Sequence, residues 1–235
     1  MITNVIPTYN RKRVLLWHLR ELEQQTFKDF EVIVVSDGSS DGSVKAARKL
    51  KATFPLTVLE QADQGFRLAT ARNLGIQQAR FDIVVLTDDD QIPRPQLFAL
   101  YAEHVRRGHA VLGYTTHVKH LGDRQIWWWA GPNMAIHRQD LLDVGGYDEE
   151  IKLYGAEDFD LALRLRLNGV TFSFRPEAMS VEVPGSYVYN PISEQAKYSQ
   201  IRVNFAYLKH KFAALGVDLA KETEGFFFHD VIAAL

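Results

Sequence analysis

Apolar and polar positions repeat with two different periods over the first part of the chain. A short apolar run covers residues 2–6, which is typical of a strand. Residues 11–25 then place Leu15, Leu19 and Leu22 at positions i, i+4 and i+7. This second spacing predicts a helix with one apolar face.

The alternation continues along this half of the chain. Residues 30–35 (FEVIVV) are β-rich and continuous, as expected of a strand buried on both faces. Ser43 is expected to cap a helix that runs to about Leu50. Two further strands are predicted at residues 56–59 and 81–86, and two further helices at residues 67–79 and 95–107. Strands that alternate with helices predict βαβ units and a mostly parallel sheet.

The rhythm changes after Gly108. Trp127 to Trp129 form an aromatic block, and Gly169 ends a predicted helix. That helix covers residues 157–168, and strands are predicted at residues 110–119, 134–137, 171–174 and 180–183. No long polar linker or internal repeat divides the chain, so we expect one domain in two functional halves.

Composition limits the classes of protein that fit. The chain has 235 residues, 46% hydrophobic and 24% charged, enough for one large or two small globular units. A net charge of −2 argues against a general binder of nucleic-acid phosphates. The chain has no cysteine, which excludes disulfides and thiolate metal sites. The start of the chain is unlike a signal peptide, and no apolar run reaches the ~18 residues that span a bilayer. The expectation is a soluble intracellular protein.

Polar clusters follow the first four predicted strands. They are PTYN (residues 7–10), SDGSSDG (36–42), QADQG (61–65) and TDDDQIP (87–93). Ligands of open α/β sheets lie beyond the carboxyl ends of the parallel strands, where these loops would converge. Any one loop has ordinary turn chemistry as its alternative. Together they indicate a site for a polar, hydroxyl-rich ligand.

Three adjacent carboxylates, Asp88, Asp89 and Asp90, follow the fourth strand. Adjacent carboxylates repel one another and raise their own pKa values unless a cation is present. Oxygen ligands of this kind suit Mg²⁺ or Mn²⁺, bound through one or two carboxylates and a phosphate-bearing substrate. The alternative is a solvated acidic turn, which would not explain why the triplet directly follows a buried strand.

Other kinds of binding site are disfavoured because the chain lacks a residue that each of them requires. Asp37 to Gly42 matches the start of a calcium loop, but loop position 12 is Arg48, and a guanidinium cannot ligate a cation. Neither G-x-x-x-x-G-K-[ST] nor G-x-G-x-x-G follows a strand, which argues against P-loop NTPases and Rossmann dehydrogenases.

Five motifs, in order, resemble the family 2 glycosyltransferases with the GT-A fold. They are IPTYNR (residues 6–11), VVSDGSSDGS (34–43), Q-G-x-x-x-A-x-x-R-N-x-G (64–75), LTDDD (86–90) and GGYDEEIKLYGAEDFDLALRLRLNG (145–169). The resemblance covers roughly residues 2–183, and the last block looks like the acceptor-side motif of galactosyl- and N-acetylgalactosaminyltransferase-like members. It implies an α/β, nucleotide-diphospho-sugar transferase fold with a Rossmann-like, mostly parallel central sheet flanked by helices.

The resemblance also implies an organisation of the chain. Residues 1–190 would form the glycosyltransferase domain, with a nucleotide-binding half at about 1–108 and an acceptor half at about 109–190. Residues 191–235 would be an amphipathic helical extension.

For the donor side, the resemblance implies that Asp37 reads the nucleotide base and that Thr8 and Tyr9 lie near the base and ribose. Asp37 would accept the imide N–H that uracil offers and cytosine does not, which favours UDP over CDP and still allows dTDP. Arg67 or Arg72 would face the diphosphate or sugar, with a solvated helix face as the alternative. The predicted nucleotide-binding residues are Pro7, Thr8, Tyr9, Asn10, Asp37, Gly65, Arg67, Arg72, Asp88 and Asp89.

The family's D-x-D motif corresponds to Asp88 and Asp90. By resemblance Asp88 lies nearer the ribose and Asp90 binds the metal, Mn²⁺ or Mg²⁺, while the role of Asp89 stays open. Many relatives add a late His ligand, and the matching position here is Glu182. Glu182 would be an oxygen ligand, or the third ligand is missing.

For the acceptor side, Glu157 and Asp158 match the family's "ED" pair. Asp158 would be the base that takes the acceptor hydroxyl proton, with Glu157 on acceptor hydroxyls. The alternative is that both only complement a helix N-terminus. Resemblance implies direct displacement with inversion. Aromatic faces stack on sugars, so a tryptophan of the block is expected to be a platform for the acceptor or donor sugar. Consecutive strand residues cannot all face one way, so the alternative for at least one of them is the core or a partner. The predicted acceptor or sugar contacts are Trp128, Trp129, Gly131 and Asn133.

The segment after Pro191 carries an apolar stripe with basic residues elsewhere on the helix. Three roles are open for residues 196–215: packing on the catalytic domain, contact with an anionic membrane, and self-association. The stripe consists of Tyr198, Ile201, Phe205, Leu208, Phe212 and Leu215. Membrane contact matters because many acceptors in this family are lipid-linked sugars.

The sequence thus predicts a metal-dependent, inverting hexosyltransferase of polysaccharide or glycoconjugate biosynthesis. It would move a sugar from a nucleotide-sugar donor, with UDP favoured, to a hydroxyl of a glycan, polysaccharide or glycolipid. No nucleic-acid partner is expected, and the location would be cytoplasmic or peripheral at the inner face of the membrane. The alternatives are a sugar nucleotidyltransferase, whose Gly-rich basic loop after the first strand is missing here, and a non-catalytic sugar- or nucleotide-binding module.

Overall fold

Eight strands form one sheet in the computed structural model, which describes residues 1–115, 131, 133–183, 193–224 and 229–235. Along the sheet the strands follow the order β3-β2-β1-β4-β7-β6-β8-β5. They are β1 (Ile2–Thr8), β2 (Phe30–Asp37), β3 (Leu56–Gln61), β4 (Ile83–Thr87), β5 (Gln91–Pro93), β6 (His109–Thr115), β7 (Asn133–His137) and β8 (Thr171–Glu182).

The first four strands are parallel, as the alternating pattern predicts. Every residue of β1 and β2 is buried, because helices cover both faces of the sheet. Pro7 lies in β1 beyond the stretch that pairs with β4, which ends at Val5, so its missing N–H interrupts no hydrogen bond on that side. The carboxyl ends of all four strands therefore point to the same edge.

The second half of the sheet is mixed. β7 runs antiparallel to both β4 and β6, whereas β8 runs parallel to β6 and antiparallel to β5. The two strands predicted at residues 171–174 and 180–183 are one strand, β8, with a register shift opposite Gly113 and Tyr114. A Cβ at Gly113 would lie 2.2 Å from the carbonyl oxygen of Ala178, so a glycine is required there. The central sheet is thus one continuous layer that joins both halves of the chain.

The helices differ from the predicted ones mainly at their ends. They are α1 (Lys12–Glu21), α2 (Ser43–Arg48), α3 (Leu68–Gln78), α4 (Leu97–His104), α5 (Arg138–Asp143), α6 (Glu157–Leu167), α7 (Glu194–Ala213), α8 (Leu219–Glu222) and α9 (His229–Ala233). The prediction that Ser43 caps α2 is wrong. Gly42 is the N-cap residue with φ +79°, and the side chain of Asp41 accepts the backbone N–H of Ser43 at 2.9 Å.

Part of the apolar stripe of α7 lies in the same hydrophobic core as α3 and α6. Phe205, Leu208 and Phe212 are buried there, whereas Tyr198 and Leu215 are exposed. Leu219 of α8 and Ile232 of α9 belong to the same cluster. The prediction that the stripe packs on the catalytic domain is confirmed for the three buried residues.

No helix in the part of the chain that the structure describes is long and apolar enough to cross a membrane.

Candidate active site

The loops after β2 and β3 hold the side chain of Asp37 in place. Asp37 Oδ1 accepts a hydrogen bond from Gln61 Nε2 at 2.7 Å, and Oδ2 accepts one from the backbone N–H of Arg67 at 3.0 Å. Gly38 has φ +78°, and a Cβ there would lie 2.4 Å from the backbone of Asp63. The two loops can approach this closely only because residue 38 has no side chain.

The loop after β1 braces the loop after β2. Asn10 has φ +52°, and its Oδ1 accepts the backbone N–H groups of Ser40 and Asp41 at 2.7 and 3.3 Å. The neighbouring Tyr9 is exposed, and its hydroxyl donates to Asp63 Oδ2 at 3.1 Å. This hydrogen bond to a carboxylate raises the pKa of Tyr9. Tyr9 is thus exposed beside the loops after β2 and β3, while the side chain of Asn10 binds the loop after β2.

The aspartate triplet is neutralised in part by Arg11, a residue that the motif analysis did not assign. Arg11 Nη1 lies 2.9 Å from Asp89 Oδ1 and 2.7 Å from Asp90 Oδ2. The hydroxyl of Thr8 donates to Asp89 Oδ2 at 2.7 Å. Burial nevertheless outweighs the ion pair and raises the pKa of Asp89 to about 7. Both oxygens of Asp89 are engaged inside the protein, so we assign Asp89 and Thr8 to the support of the loop rather than to contact with a ligand.

A buried histidine supports the same loop. His18 of α1 is fully buried, and its Nδ1 lies 3.2 Å from the backbone carbonyl oxygen of Asp89. Burial lowers the pKa of His18 to about 4, so the ring is neutral near pH 7. A neutral ring that donates through Nδ1 fixes the main chain of the triplet without adding charge.

Arg72 of α3 joins the donor-side loop to the predicted catalytic helix. Its Nη2 donates to Asp88 Oδ1 at 2.8 Å, and its Nη1 donates to Asp158 Oδ1, also at 2.8 Å. Nη1 lies 3.6 Å from Glu157 Oε1. The guanidinium packs over the ring of Tyr147 with 5.0 Å to the ring centroid. The alternative of a solvated helix face is therefore wrong for Arg72, because only 2% of the residue is exposed.

Glu157 and Asp158 are the first two residues of α6, and Glu157 is buried while Asp158 is half-buried. Burial raises the pKa of Glu157 to about 7 and raises the pKa of Asp158 as well. Tyr147, also unassigned by the motif analysis, donates its hydroxyl to Asp158 Oδ1 at 2.9 Å. Asp158 Oδ1 thus accepts two hydrogen bonds, while Oδ2 has no hydrogen-bond partner among the residues that the structure describes. A carboxylate held by one oxygen, with the other available, suits a general base.

The oxygen ligands expected of a divalent cation are present at the triplet. Asp88 and Asp90 each use one carboxylate oxygen for an arginine, and neither second oxygen has a hydrogen-bond partner in the described ranges. Glu182 lies opposite Gln91 in the pairing of β8 with β5, and the N–H of Val183 donates to the carbonyl of Asp90 at 2.8 Å. Across residues 1–115, 133–183 and the described tail, no three Asp, Glu or His side chains are grouped as a complete metal site. Two carboxylates with substrate phosphates are the usual arrangement for Mg²⁺, and Asp88 and Asp90 fit it.

Several predicted contacts lie elsewhere. The side chain of Arg67 donates to Gln64 Oε1 at 2.8 Å, so only its backbone takes part in the Asp37 loop. Gly65 is exposed with φ +83°, and Gly131 is buried. Trp128 and Trp129 lie outside the described residues.

Asn133 is predicted from the sequence to contact a sugar, but its side chain is hydrogen-bonded inside the protein. Both hydrogens of its Nδ2 are used, by the carbonyl oxygens of Tyr114 and Ala178 at 3.0 Å each. Its Oδ1 accepts the hydroxyl of Tyr101 at 2.7 Å. The residue is 3% exposed, so we assign it to the joint between β6, β7 and β8.

Comparison with solved structures identifies the fold as that of the GT-A glycosyltransferases. The S. aureus protein TarS in complex with UDP-GlcNAc aligns with a TM-score of 0.68 at 20% identity, over 88% of this chain and 66% of that one. The mannosyltransferase PcManGT from Pyrobaculum calidifontis, in complex with GDP-Man and Mn²⁺, aligns with a TM-score of 0.66 at 25% identity, over 91% of this chain and 63% of that one. The predicted fold class is confirmed.

The sequence places the chain within one family. The model of Glycosyl transferase family 2 matches residues 3–160, and that of Glycosyltransferase like family 2 matches residues 110–223. The chain belongs to family 2 of the glycosyltransferases.

Curated relatives are longer than this chain. Validoxylamine A glucosyltransferase of Streptomyces hygroscopicus subsp. jinggangensis is 26% identical over 78% of this chain and 56% of its own length. Chondroitin synthase of Escherichia coli is 27% identical over 77% of this chain and 34% of its own length. The chain therefore spans about half or less of the length of these two relatives.

Proposed function

We propose that this chain transfers a sugar from a nucleotide-sugar donor to a hydroxyl acceptor. The observation that carries the proposal is the pair of 2.8 Å hydrogen bonds from Arg72 to Asp88 and to Asp158. They bring the first carboxylate of the D-x-D motif and the acceptor-side carboxylate to the same guanidinium. A chain of this family thereby has its donor and acceptor machinery next to each other.

The donor half of the proposal is a nucleoside diphosphate in the loops after β1 and β2. Asp37 keeps lone pairs on both oxygens beyond the bonds to Gln61 and Arg67, and these would accept the imide N–H of uracil. Tyr9 lies exposed beside this loop and would cover the base. We favour UDP on this ground, and TarS, which binds UDP-GlcNAc, shares the fold. GDP is the second candidate because PcManGT binds GDP-Man.

The chemistry we propose is direct displacement at the anomeric carbon. The acceptor oxygen forms a bond to this carbon as the bond from the carbon to the phosphate oxygen breaks. Asp158 Oδ2 takes the proton of the acceptor hydroxyl, and the nucleoside diphosphate leaves with the bonding electron pair. One displacement inverts the configuration. The raised pKa of Asp158 makes it a stronger base than an exposed aspartate, which favours this role.

A divalent cation, Mn²⁺ or Mg²⁺, would be held by Asp88 and Asp90, with Glu182, which lies opposite Gln91 in the pairing of β8 with β5, as the proposed further ligand. It would stabilise the negative charge that develops on the leaving diphosphate. Arg11 would keep Asp89 and Asp90 oriented when the cation is bound. The expected acceptor is a hydroxyl of a glycan, polysaccharide or glycolipid.

Part of residues 196–215 packs on the rest of this chain, and this leaves less support for membrane contact or self-association through the same segment. Phe205, Leu208 and Phe212, the most apolar part of the stripe, are already buried in this chain's own core. Tyr198, Val203 and Tyr207 remain exposed and would be the residues to contact a surface.

Calorimetric titration of UDP, CDP and GDP, first with Mn²⁺ and then with EDTA, tests the donor half of the proposal. Metal-dependent binding of UDP alone would support the base contact at Asp37, whereas metal-dependent binding of GDP alone would overturn the preference for UDP. No binding of any diphosphate would overturn the proposed donor class.

The release of UDP from UDP-glucose and UDP-GlcNAc, with water or an added sugar as acceptor, tests the chemistry. Asp158→Asn should lower turnover by about two orders of magnitude or more and leave UDP affinity unchanged. Asp29→Asn, an exposed aspartate just before β2 and thus at the other end of the strands, is the matched control. If the wild-type protein binds the donor but shows no turnover, the alternative of a non-catalytic sugar- or nucleotide-binding module is supported instead.

A further inference from the structure

The turn before α6 has an unusual main chain. Gly155 has φ +84° and Ala156 has φ +74°, so two consecutive residues lie in the left-handed region directly before Glu157 and Asp158. Alanine rarely adopts this region, and such a conformation persists only where surrounding contacts hold it. The direction in which α6 presents Asp158 follows from this turn.

Asn204 of α7 supplies such contacts. Its Nδ2 lies within hydrogen-bond distance of three successive carbonyl oxygens of the turn, those of Leu153, Tyr154 and Gly155, at 3.1, 3.2 and 2.6 Å, and its two N–H groups are shared among them. Asn204 is 4% exposed, so water does not compete for these carbonyls. A single amide group thus binds the whole turn that leads to the catalytic helix.

Two neighbours on α7 contact the same turn. Gln200 Oε1 accepts the backbone N–H of Tyr154 at 2.9 Å. Ile201 packs so closely that a Cβ at Gly155 would lie 2.7 Å from Ile201 Cγ1. Helix α7 therefore holds the turn in three ways. Gln200 binds a backbone N–H group, Asn204 binds the carbonyl oxygens, and Ile201 packs against Gly155.

Helix α7 is itself anchored next to α6. Lys211 Nζ donates to Asp148 Oδ2 at 2.7 Å and to Asp160 Oδ1 at 2.5 Å. Phe205 packs against Phe159 of α6 with 5.4 Å between ring centroids. Because α7 is fixed on α6 at both places, the position of Asn204 relative to the turn is set by the core.

We propose that Asn204 is a positioning residue for the transfer reaction, and that it acts on Asp158 by holding the turn of residues 153–156. This inference rests on the proposed function for its catalytic consequence. Asn204 contacts the backbone of residues 153–155, and the conformation of this turn sets the position of Asp158 relative to the acceptor hydroxyl. Displacement of a catalytic group by about 1 Å can cost on the order of 100-fold in rate.

Two variants of Asn204 test the proposal, with Phe212→Leu as the matched control. Asn204→Ala removes the three hydrogen bonds, and Asn204→Asp keeps the shape but turns a carboxylate oxygen toward three carbonyl oxygens. Phe212 lies on the same helix and is fully buried, so Phe212→Leu weakens the packing of α7 without touching the turn. Gln200→Ala, which removes a single bond, serves if an Asn204 variant does not fold.

The measurements are turnover and KM for UDP-glucose and UDP-GlcNAc hydrolysis with Mn²⁺, UDP affinity, Tm, and hydrogen exchange of residues 151–158. We expect both Asn204 variants to lower kcat by about 10-fold to 100-fold, with KM and UDP affinity unchanged and faster exchange in residues 151–158. Phe212→Leu should lower Tm with kcat retained.

Two outcomes would overturn the inference. One is unchanged exchange of residues 151–158 in the Asn204 variants, and the other is a fall in kcat that follows Tm equally in Phe212→Leu. If the wild-type protein hydrolyses neither donor but exchange rises only in the Asn204 and Gln200 variants, the positioning of the turn is upheld and transfer from the UDP-sugar donors that we favour is overturned.

Discussion

Arg72 donates one guanidinium nitrogen to Asp88 and another to Asp158, at 2.8 Å in each case. The two carboxylates come from different elements, the loop after β4 and the start of α6. A guanidinium is planar, stays charged and offers several donors in a fixed fork, so it can hold both at once. The geometry of the site thus depends on the shape of this cation as well as on its charge.

Arg72→Lys should therefore lower turnover by about 100-fold although the charge is kept. A lysine ammonium is a compact charge that cannot reach both carboxylates in the same fork. The rate of UDP release from a UDP-sugar, measured with saturating donor, checks this.

Arg80→Lys is the matched control for that substitution. Arg80 pairs with Glu31 through the same kind of guanidinium–carboxylate contact, at 2.6 Å, near the amino end of β2 and thus away from the carboxyl end where the site lies. Equal losses of turnover in the two variants would contradict a specific role for Arg72.

Tyr147→Phe should shift the pH dependence of kcat. In the proposed mechanism Asp158 acts as a base above its pKa, so the rate should fall as the pH drops through that value. The hydroxyl of Tyr147 donates to Asp158 and lowers the pKa of Asp158 against the larger, raising effect of burial. Removal of the hydroxyl should move the acid limb of the kcat profile about one pH unit higher, because a hydrogen bond to a charged group is worth about 1.5 kcal/mol or more.

Burial raises the pKa of Tyr147 well above its usual range, so the hydroxyl keeps its proton over the whole profile. Tyr207→Phe is the control, since Tyr207 donates to Asp148 instead of Asp158. If the acid limb of the kcat profile of Tyr147→Phe stays in place or moves to lower pH, Tyr147 does not lower the pKa of Asp158 in the reaction.

Asp90→Asn should weaken Mn²⁺-dependent binding of UDP by about tenfold or more. Loss of a residue that only hydrogen-bonds to a metal ligand already lowers metal affinity by about that factor. An amide is a weaker ligand for a hard cation than a carboxylate, and it also loses the ion pair with Arg11. Calorimetric titration of UDP with Mn²⁺ and with EDTA gives the metal-dependent part directly. Asp82→Asn, an exposed aspartate just before β4, is the control. Retention of the full metal effect in Asp90→Asn would place the cation elsewhere.

Gly75→Ala should destabilise the protein by about 1–3 kcal/mol, the usual cost of an oversized core side chain. A Cβ at Gly75 would lie 2.3 Å from Val5 Cγ1 and 3.3 Å from Val35 Cγ2, where α3 packs on the sheet. The better helix propensity of alanine, about 1 kcal/mol, works in the opposite direction and is the smaller effect.

Urea unfolding measures the change in the free energy of unfolding. Gln78→Ala, at an exposed position of the same helix, should change it little. A gain in stability from Gly75→Ala would show that α3 can move off β1 at little cost.

The fold and the main carboxylates follow from local sequence patterns. The alternation of strand and helix predicts the four parallel strands, and each motif lies at the end of the strand that its position implies. Asp88, Asp90 and Asp158 are recognisable because each lies within a short run of characteristic residues.

The partners of these carboxylates do not follow from local pattern. Arg11 binds the triplet from a position far along the chain, and nothing in its own segment indicates this. Tyr147 lies in a motif typical of a turn, so its hydroxyl bond to Asp158 is visible only in three dimensions. Asn133 lies close to the tryptophan block, which suggested a sugar contact, but its amide is fully engaged where β6, β7 and β8 meet.

The contacts of Asn204 give the site an order of assembly during synthesis. The chain leaves the ribosome from its N-terminus, so the strands β1 to β4 and their loops emerge before α7 exists. The loops around Asp37 and Asp88 are therefore synthesised before the amide that binds the carbonyls of the turn before Asp158. On the proposed roles, the residues that would bind the nucleotide leave the ribosome first, and the helix that holds the reacting carboxylate in place follows them.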